Sequence, residues 1–135
     1  MKIKTMIAAI PLILAVVAAQ GNDHPNLKPN STECLAAVIY KEARGESMRG
    51  RLAVAQVVIN RGEPCQVVNQ KGQFSWRKTD RLNWDNNSMY LANKVLTRGW
   101  AIRGFKATHF HNTTVNPNWS GYITTIGNHS FYYLP

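Results

Sequence analysis

Glu42 and Glu46 stand four residues apart in the run Tyr40-Lys41-Glu42-Ala43-Arg44-Gly45-Glu46, between the apolar segments Cys34–Ile39 and Leu52–Ile59. The chain has only seven acidic residues, and a junction between two buried helices is normally a short neutral turn. Two carboxyl groups there are costly for packing and suit acid/base chemistry at the floor of a cleft. If helical geometry carries across Gly45, Glu42 and Glu46 are neighbours about 6 Å apart. Otherwise Glu46 only favours the N-terminus of the next helix, together with Ser47. His109 and His111 form the other reactive pair, sharing one face of a predicted strand. No third ligand stands at a suggestive spacing, so hydrogen bonding suits them better than metal. Ser47, Ser75 and Ser120 have no obvious base, and no Gly-x-Ser-x-Gly elbow is present.

The elements that must position these groups follow from caps and periodicity. Asn30, with Glu33 three places on, opens a first helix over Ser31–Arg44, and Gly45 stops it. Leu35, Val38 and Ile39 form its buried face. Glu42 lies at i+4 from Val38 and i+3 from Ile39, so it faces the core at the last turn. There it meets the negative end of the helix dipole and loses water, and both effects favour the protonated acid. Ser47 caps a second helix, Met48–Arg61, closed by Gly62. Its run Leu52–Ile59 is apolar nearly all round and reads as the central buried helix, with Gln56 a satisfied core amide.

Gly62-Glu63-Pro64 reads as a turn, Val67–Trp76 as a short strand or loop, and Lys78–Asn86 as a loop anchored by Trp84. Gln73, Phe74 and Trp76 suit a carbohydrate surface, since sugar faces stack on rings and amides bond hydroxyls; the alternative for the rings is the core. A third helix runs from about Asn87 to Arg98, with Leu91, Ala92, Val95 and Leu96 inward and Gly99 as its stop. A strand over Ala107–Asn112 and a hairpin, Tyr122–Ile126 with His129–Tyr133 across Gly127-Asn128, complete an α+β chain.

Residues 1–19 combine a cationic start (Lys2, Lys4), an uncharged run and a small-residue ending at Val17-Ala18-Ala19. This is expected to be a signal peptide or a weak, releasable anchor, being short for a membrane span of about twenty residues. Residues 20–31 form a polar linker and 32–135 a single catalytic domain. The net charge of +9 favours polyanions, an acidic wall polymer among them. The basic residues are scattered and no nucleic-acid signature accompanies them, so nucleic acid is not expected as a partner. Membrane contact is expected only through the N-terminal segment, and the chain is expected to be a monomer without cofactor or metal. In an exported protein the two cysteines, Cys34 and Cys65, most simply form one disulfide.

The segment Cys34–Glu46 closely resembles the spore cortex-lytic (SleB-type) family of bacterial and phage cell-wall hydrolases. The resemblance continues through Ala53–Arg61, Cys65, Gln73-Phe74-Ser75-Trp76, Thr108-His109-Phe110-His111, Val115-Asn116-Pro117-x-Trp119 and Ile126-Gly127-Asn128-His129-x-Phe131-Tyr132. It implies a small lysozyme-like α+β domain, about three helices packed with a short antiparallel sheet. It also implies lytic transglycosylation of peptidoglycan between N-acetylmuramic acid and N-acetylglucosamine, with Glu42 as the catalytic group. Glu46 is the candidate second carboxylate, and Tyr40, Gln73, Phe74, His109, His111 and Asn116 are candidate substrate contacts. Lys41 departs from the small or aromatic residue more usual there. A hydrolytic muramidase using both Glu residues, an amidase holding zinc on His109 and His111, and a non-enzymatic wall-binding module are the alternatives. The expected location is the periplasm or cell envelope. An envelope enzyme and a phage lysis enzyme (an endolysin) acting in the host periplasm both fit.

Overall fold

The computed structural model describes residues 28–78 and 81–135. The expected leader or anchor, and the linker up to residue 27, lie outside the described residues. Among those described, no helix is long and apolar enough to cross a membrane.

Helix α1 spans Ser31–Ala43. Asn30 Oδ1 accepts from the Glu33 amide at 2.9 Å, and Asn30 Nδ2 donates to Glu33 Oε1 at 3.1 Å, so cap and third residue bond reciprocally. Every residue from Cys34 to Ile39 is fully buried. Helix α2, Met48–Arg61, starts on Ser47, whose hydroxyl accepts from the Gly50 amide at 3.2 Å. The expectation that α2 is the central helix is corrected. α1 is central, packed against α2 and against two further helices, α3 (Pro64–Val68) and α4 (Asn86–Arg98). Ala36 and Ala37 let neighbours approach α1 on two sides, whereas Leu52, Gln56 and Ile59 of α2 remain only half-buried. Gln56 is accordingly not a core amide; it donates to Asn60 Oδ1 at 2.9 Å on the helix surface.

The segment after α2 is a second correction. Glu63 accepts from the amides of Cys65 (3.0 Å) and Gln66 (2.8 Å), and Pro64 takes the first helical position, so a turn of α3 forms where a plain turn was expected. No strand forms over Val67–Trp76; Ser75–Lys78 is a 3₁₀ turn. α4 begins one residue earlier than expected because Asp85 caps it through the Ser88 amide at 2.8 Å. Its inward stripe is Ser88, Leu91, Ala92 and Val95, while Leu96, expected inward, is 37% exposed at the stripe's edge. Trp84 packs half-buried against the core.

The disulfide Cys34–Cys65 joins the first turns of α1 and α3, with Cα atoms 5.1 Å apart. Strands β1 (His109–Asn112), β2 (Tyr122–Ile126) and β3 (His129–Tyr132) form an antiparallel sheet in the order β1-β3-β2. The hairpin turns at Gly127, whose φ of 57° is open to glycine at little cost. Residues directly opposite share a face. Phe110 opposite Phe131 and Asn112 opposite His129 therefore look toward the helices; His109 opposite Tyr132 and His111 opposite Ser130 look away. Phe131 is fully buried and meets Phe105 edge-on at 5.3 Å, which seats the sheet on the helical layer.

Candidate active site

A cleft of about 350 Å³ opens where the last turn of α1 meets the sheet. It is lined by Lys41 and Glu42 of α1, Gln73 and Phe74 of the loop before the 3₁₀ turn, Phe110, His111 and Asn112 of β1, and His129 of β3. Four expected site residues thus come together: Glu42, Gln73, Phe74 and His111. Tyr40, Glu46, His109 and Asn116 are placed elsewhere.

Glu42 is half-buried, and Trp76 donates its indole N–H to Glu42 Oε1 at 2.9 Å. An indole N–H can only donate, so it fixes the carboxyl plane in either protonation state and leaves the second oxygen for a substrate. Trp76 is seated in turn by Phe74, buried at 7% exposure, with ring centroids 5.5 Å apart.

Glu46 is tied down on the other side of the turn. Its side chain is only 9% exposed, and Oε1 accepts from the Asn128 amide at 3.1 Å. The same oxygen lies 3.5 Å from His129 Nδ1. A Cβ at Gly127 would collide with Oε2, so the hairpin turn closes directly over this carboxylate. Glu46 therefore clamps the α1–α2 turn to the β2–β3 hairpin and does not line the cleft.

Burial pushes the His129 pKa below its ordinary 6.5, with His111 adding to that effect; Glu46 and Glu42 pull the other way without overcoming it. The ring is neutral at neutral pH, so its 3.5 Å approach to Glu46 is not an ion pair there. Burial, and then Arg61, likewise depress His109. A depressed folded-state pKa means that the unfolded chain takes up protons first. Stability should be fully present above about pH 6.5 and fall as acid protonates these rings in the unfolded chain. Urea midpoints at pH 7.5 and 5.5 check this: the parent should lose stability over that interval, and His129→Gln should flatten the loss. An equal loss in both proteins would exclude His129 as its source.

His109 belongs to a hydrogen-bond chain outside the cleft. Arg61 can only donate, so its contact at 3.0 Å makes His109 Nε2 the acceptor and puts the proton on Nδ1. Nδ1–H then donates to Thr108 Oγ1 at 2.9 Å, and the Thr108 hydroxyl donates to the Leu134 carbonyl at 3.1 Å. Arg61 also donates to the Thr108 carbonyl and to Gln70 Oε1, binding the end of α2 to β1. His111 donates from Nδ1 to the Asn112 carbonyl at 2.7 Å and meets the Tyr132 hydroxyl through Nε2 at 2.9 Å. Among the described residues no three His, Cys, Asp or Glu side chains converge as a metal site. Tyr40 lies under the Arg44 guanidinium, 5.0 Å from its ring centroid. Asn116 shapes its own loop by accepting from the Asn118 amide.

A model of the cell wall hydrolase family matches residues 45–132. The chain belongs to that family. The match begins just after Glu42, whose place in the site therefore rests on cleft geometry. Two solved structures are similar. The catalytic domain of the germination-specific lytic transglycosylase SleB from Bacillus anthracis is 22% identical, with a TM-score of 0.68, over 81% of this chain and 98% of that one. The catalytic domain of the Bacillus cereus SleB protein is 22% identical, with a TM-score of 0.64, over 81% of this chain and 94% of the other. They bear out the α+β fold expected from the sequence. No curated protein sequence matches the chain.

Trp76, Phe110, Asn112 and His129 complete the site around Glu42. The sequence marked Trp76 for a carbohydrate surface or the core, but nothing local connects it to Glu42.

Proposed function

We propose that this cell wall hydrolase is a lytic transglycosylase that cuts the N-acetylmuramic acid–N-acetylglucosamine bond of peptidoglycan with one carboxyl group, Glu42. The observation that carries the reading is the unequal fate of the two acidic residues. Glu42 reaches the cleft with one oxygen held by Trp76, while Glu46 is committed to the Asn128 amide and sits out of the cleft. Hydrolysis by a muramidase ordinarily needs two carboxyls facing each other across the bond. Among the described residues, this cleft offers one.

A single carboxyl suffices if the substrate supplies the nucleophile. Protonated Glu42 gives its proton to the glycosidic oxygen as the bond from the muramic C1 breaks. The neighbouring N-acetyl oxygen supports the cationic C1. The Glu42 carboxylate then takes the proton of the C6 hydroxyl, O6 bonds to C1, and an anhydro ring closes without water. The proton count on Glu42 is restored. Gln73 and Asn112 line the same cleft and offer amide groups to hydroxyl and acetamido groups, while Phe74, Phe110 and the His111 ring, whose nitrogens are held by Asn112 and Tyr132, offer walls.

Mass spectrometry of muropeptides released from purified sacculi tests this reading. Anhydro ends are expected. Reducing ends would indicate a muramidase, and freed stem peptides an amidase. Glu46→Gln retains an oxygen for the Asn128 amide, so anhydro products should persist, with a stability loss of about 1 kcal/mol. A loss of turnover comparable to that of Glu42→Gln would instead make Glu46 the second catalytic carboxyl.

A further inference from the structure

The face of the sheet turned away from the helices is unlike the usual solvent side of an antiparallel sheet, which is polar. It carries Tyr132, Tyr122 and His111, and Trp119 folds over it from the preceding loop. The Trp119 ring stands edge-on to Tyr132 at 5.5 Å and to His111 at 5.5 Å, and Tyr122 stands edge-on to Tyr132 at 5.7 Å. These rings are not a core: Tyr122 is 59% and Trp119 38% exposed. Beside them runs a row of hydroxyls, Tyr122 to Thr125 at 2.9 Å and Thr125 to Ser130 at 3.0 Å. His111 belongs to both surfaces, lining the cleft and packing its ring on Tyr132 at 5.1 Å.

We propose that this outer face is a glycan subsite continuous with the cleft, holding sugar units of the same strand away from the bond that is cut. The proposal rests on the transglycosylase reading for its substrate. A sugar ring presents an apolar C–H face and a rim of hydroxyls, and this surface offers both complements side by side, exposed rings and a hydroxyl row. The hydroxyls of the row bond one another, and the exposed ones, on Tyr122 and Thr125, keep further hydrogen-bonding capacity that a sugar hydroxyl can use and a purely apolar partner cannot. Continuity through His111 gives a strand seated at Glu42 a path onto the sheet.

The test compares the full-length parent with Tyr122→Ser and Trp119→Ala on long uncross-linked glycan strands and on a tetrasaccharide. The ratio of kcat/KM on strands to that on the tetrasaccharide should fall about five- to tenfold in each variant, the scale of one lost stacking contact. Trp119→Ala removes a ring packed on His111 and can disturb the cleft; Tyr122→Ser, at the far edge, does not touch it. Pelleting with insoluble sacculi, in a Glu42→Gln background that prevents digestion, supplies a readout independent of turnover, and the Tyr122→Ser retention should drop by a similar factor. Unchanged ratio and retention in Tyr122→Ser would overturn the subsite. So would an equal fall on both substrates, or a change in self-association on sedimentation, which would make the face a contact between copies. If the parent binds sacculi through Tyr122 yet releases no anhydro product, the subsite stands and the transglycosylase reading fails.

Discussion

Glu42→Gln is expected to lower release of muropeptides by about 10³-fold or more while leaving the fold intact. General acid catalysis by a positioned group is worth about 10²–10⁴-fold, and here one group serves as both acid and base. Gln is nearly isosteric and keeps a carbonyl oxygen for the Trp76 indole, so the 2.9 Å hydrogen bond survives. The thermal midpoint and sacculus binding should therefore stay near the parent values. What is lost is the transferable proton. Trp76→Phe should give a smaller defect, about tenfold, because the acid remains but its plane is no longer fixed. The pair of variants separates chemistry from positioning: Trp76→Phe should still release anhydro products at its reduced rate, whereas Glu42→Gln should release almost none. Anhydro products from Glu42→Gln at a tenth of the parent rate would end the single-acid account.

What could be read from the sequence is what is local. The cap at Asn30 and the Val38/Ile39 spacing suffice to put Glu42 at the end of a buried helix facing inward, because each acts within one or two turns. The expected Gly45 stop does not operate, since α1 ends at Ala43 and Gly45 takes no left-handed φ. The hairpin across Gly127-Asn128 is legible for the same reason, since only certain residues tolerate a φ of 57°. α3 is five residues long, too short for any periodicity, and its sole signal is the Glu-Pro pair that caps it. Leu96 looked inward because it follows Ala92 by four, yet the stripe set by Ser88, Leu91 and Val95 is centred elsewhere. The site's second half is decided by distant contacts. Trp76 lies 34 residues from Glu42, and Asn128 lies 82 residues from Glu46. Local spacing left Glu46 either as a partner for Glu42 or as support for α2. What spacing could not show is that a backbone amide from the hairpin takes its carboxyl. Likewise His109 and His111 share a strand face, and only Arg61 at the end of α2 gives them separate duties.

Replacing Cys34 and Cys65 together by Ala should cost about 3–4 kcal/mol, since the bond closes a loop of about thirty residues and confines the unfolded chain. Against a total stability of about 5–15 kcal/mol, that is a large share. With a shift of about 4–8 °C per kcal/mol for a domain near this size, the thermal midpoint should drop by about 15–25 °C. Turnover in the cold should change far less. The bond fastens the first turn of α1 to α3, whereas Glu42 sits at the other end of α1, held by Trp76 and by the burial of its helical neighbours Val38, Ile39 and Ala43. Cys34 itself is fully buried, so Ala there also leaves a small void, and the double variant loses somewhat more than loop entropy alone. Treating the parent with dithiothreitol separates the two contributions, because reduction opens the loop while keeping both sulfurs in place. The reduced parent should unfold a few degrees above the Ala variant and well below the oxidised protein, with its product spectrum at 20 °C unchanged. A midpoint that hardly moves on reduction would mean that α1 and α3 hold each other without the bond. Loss of turnover at 20 °C in the folded, reduced protein would mean that the position of Glu42 depends on the far end of its helix.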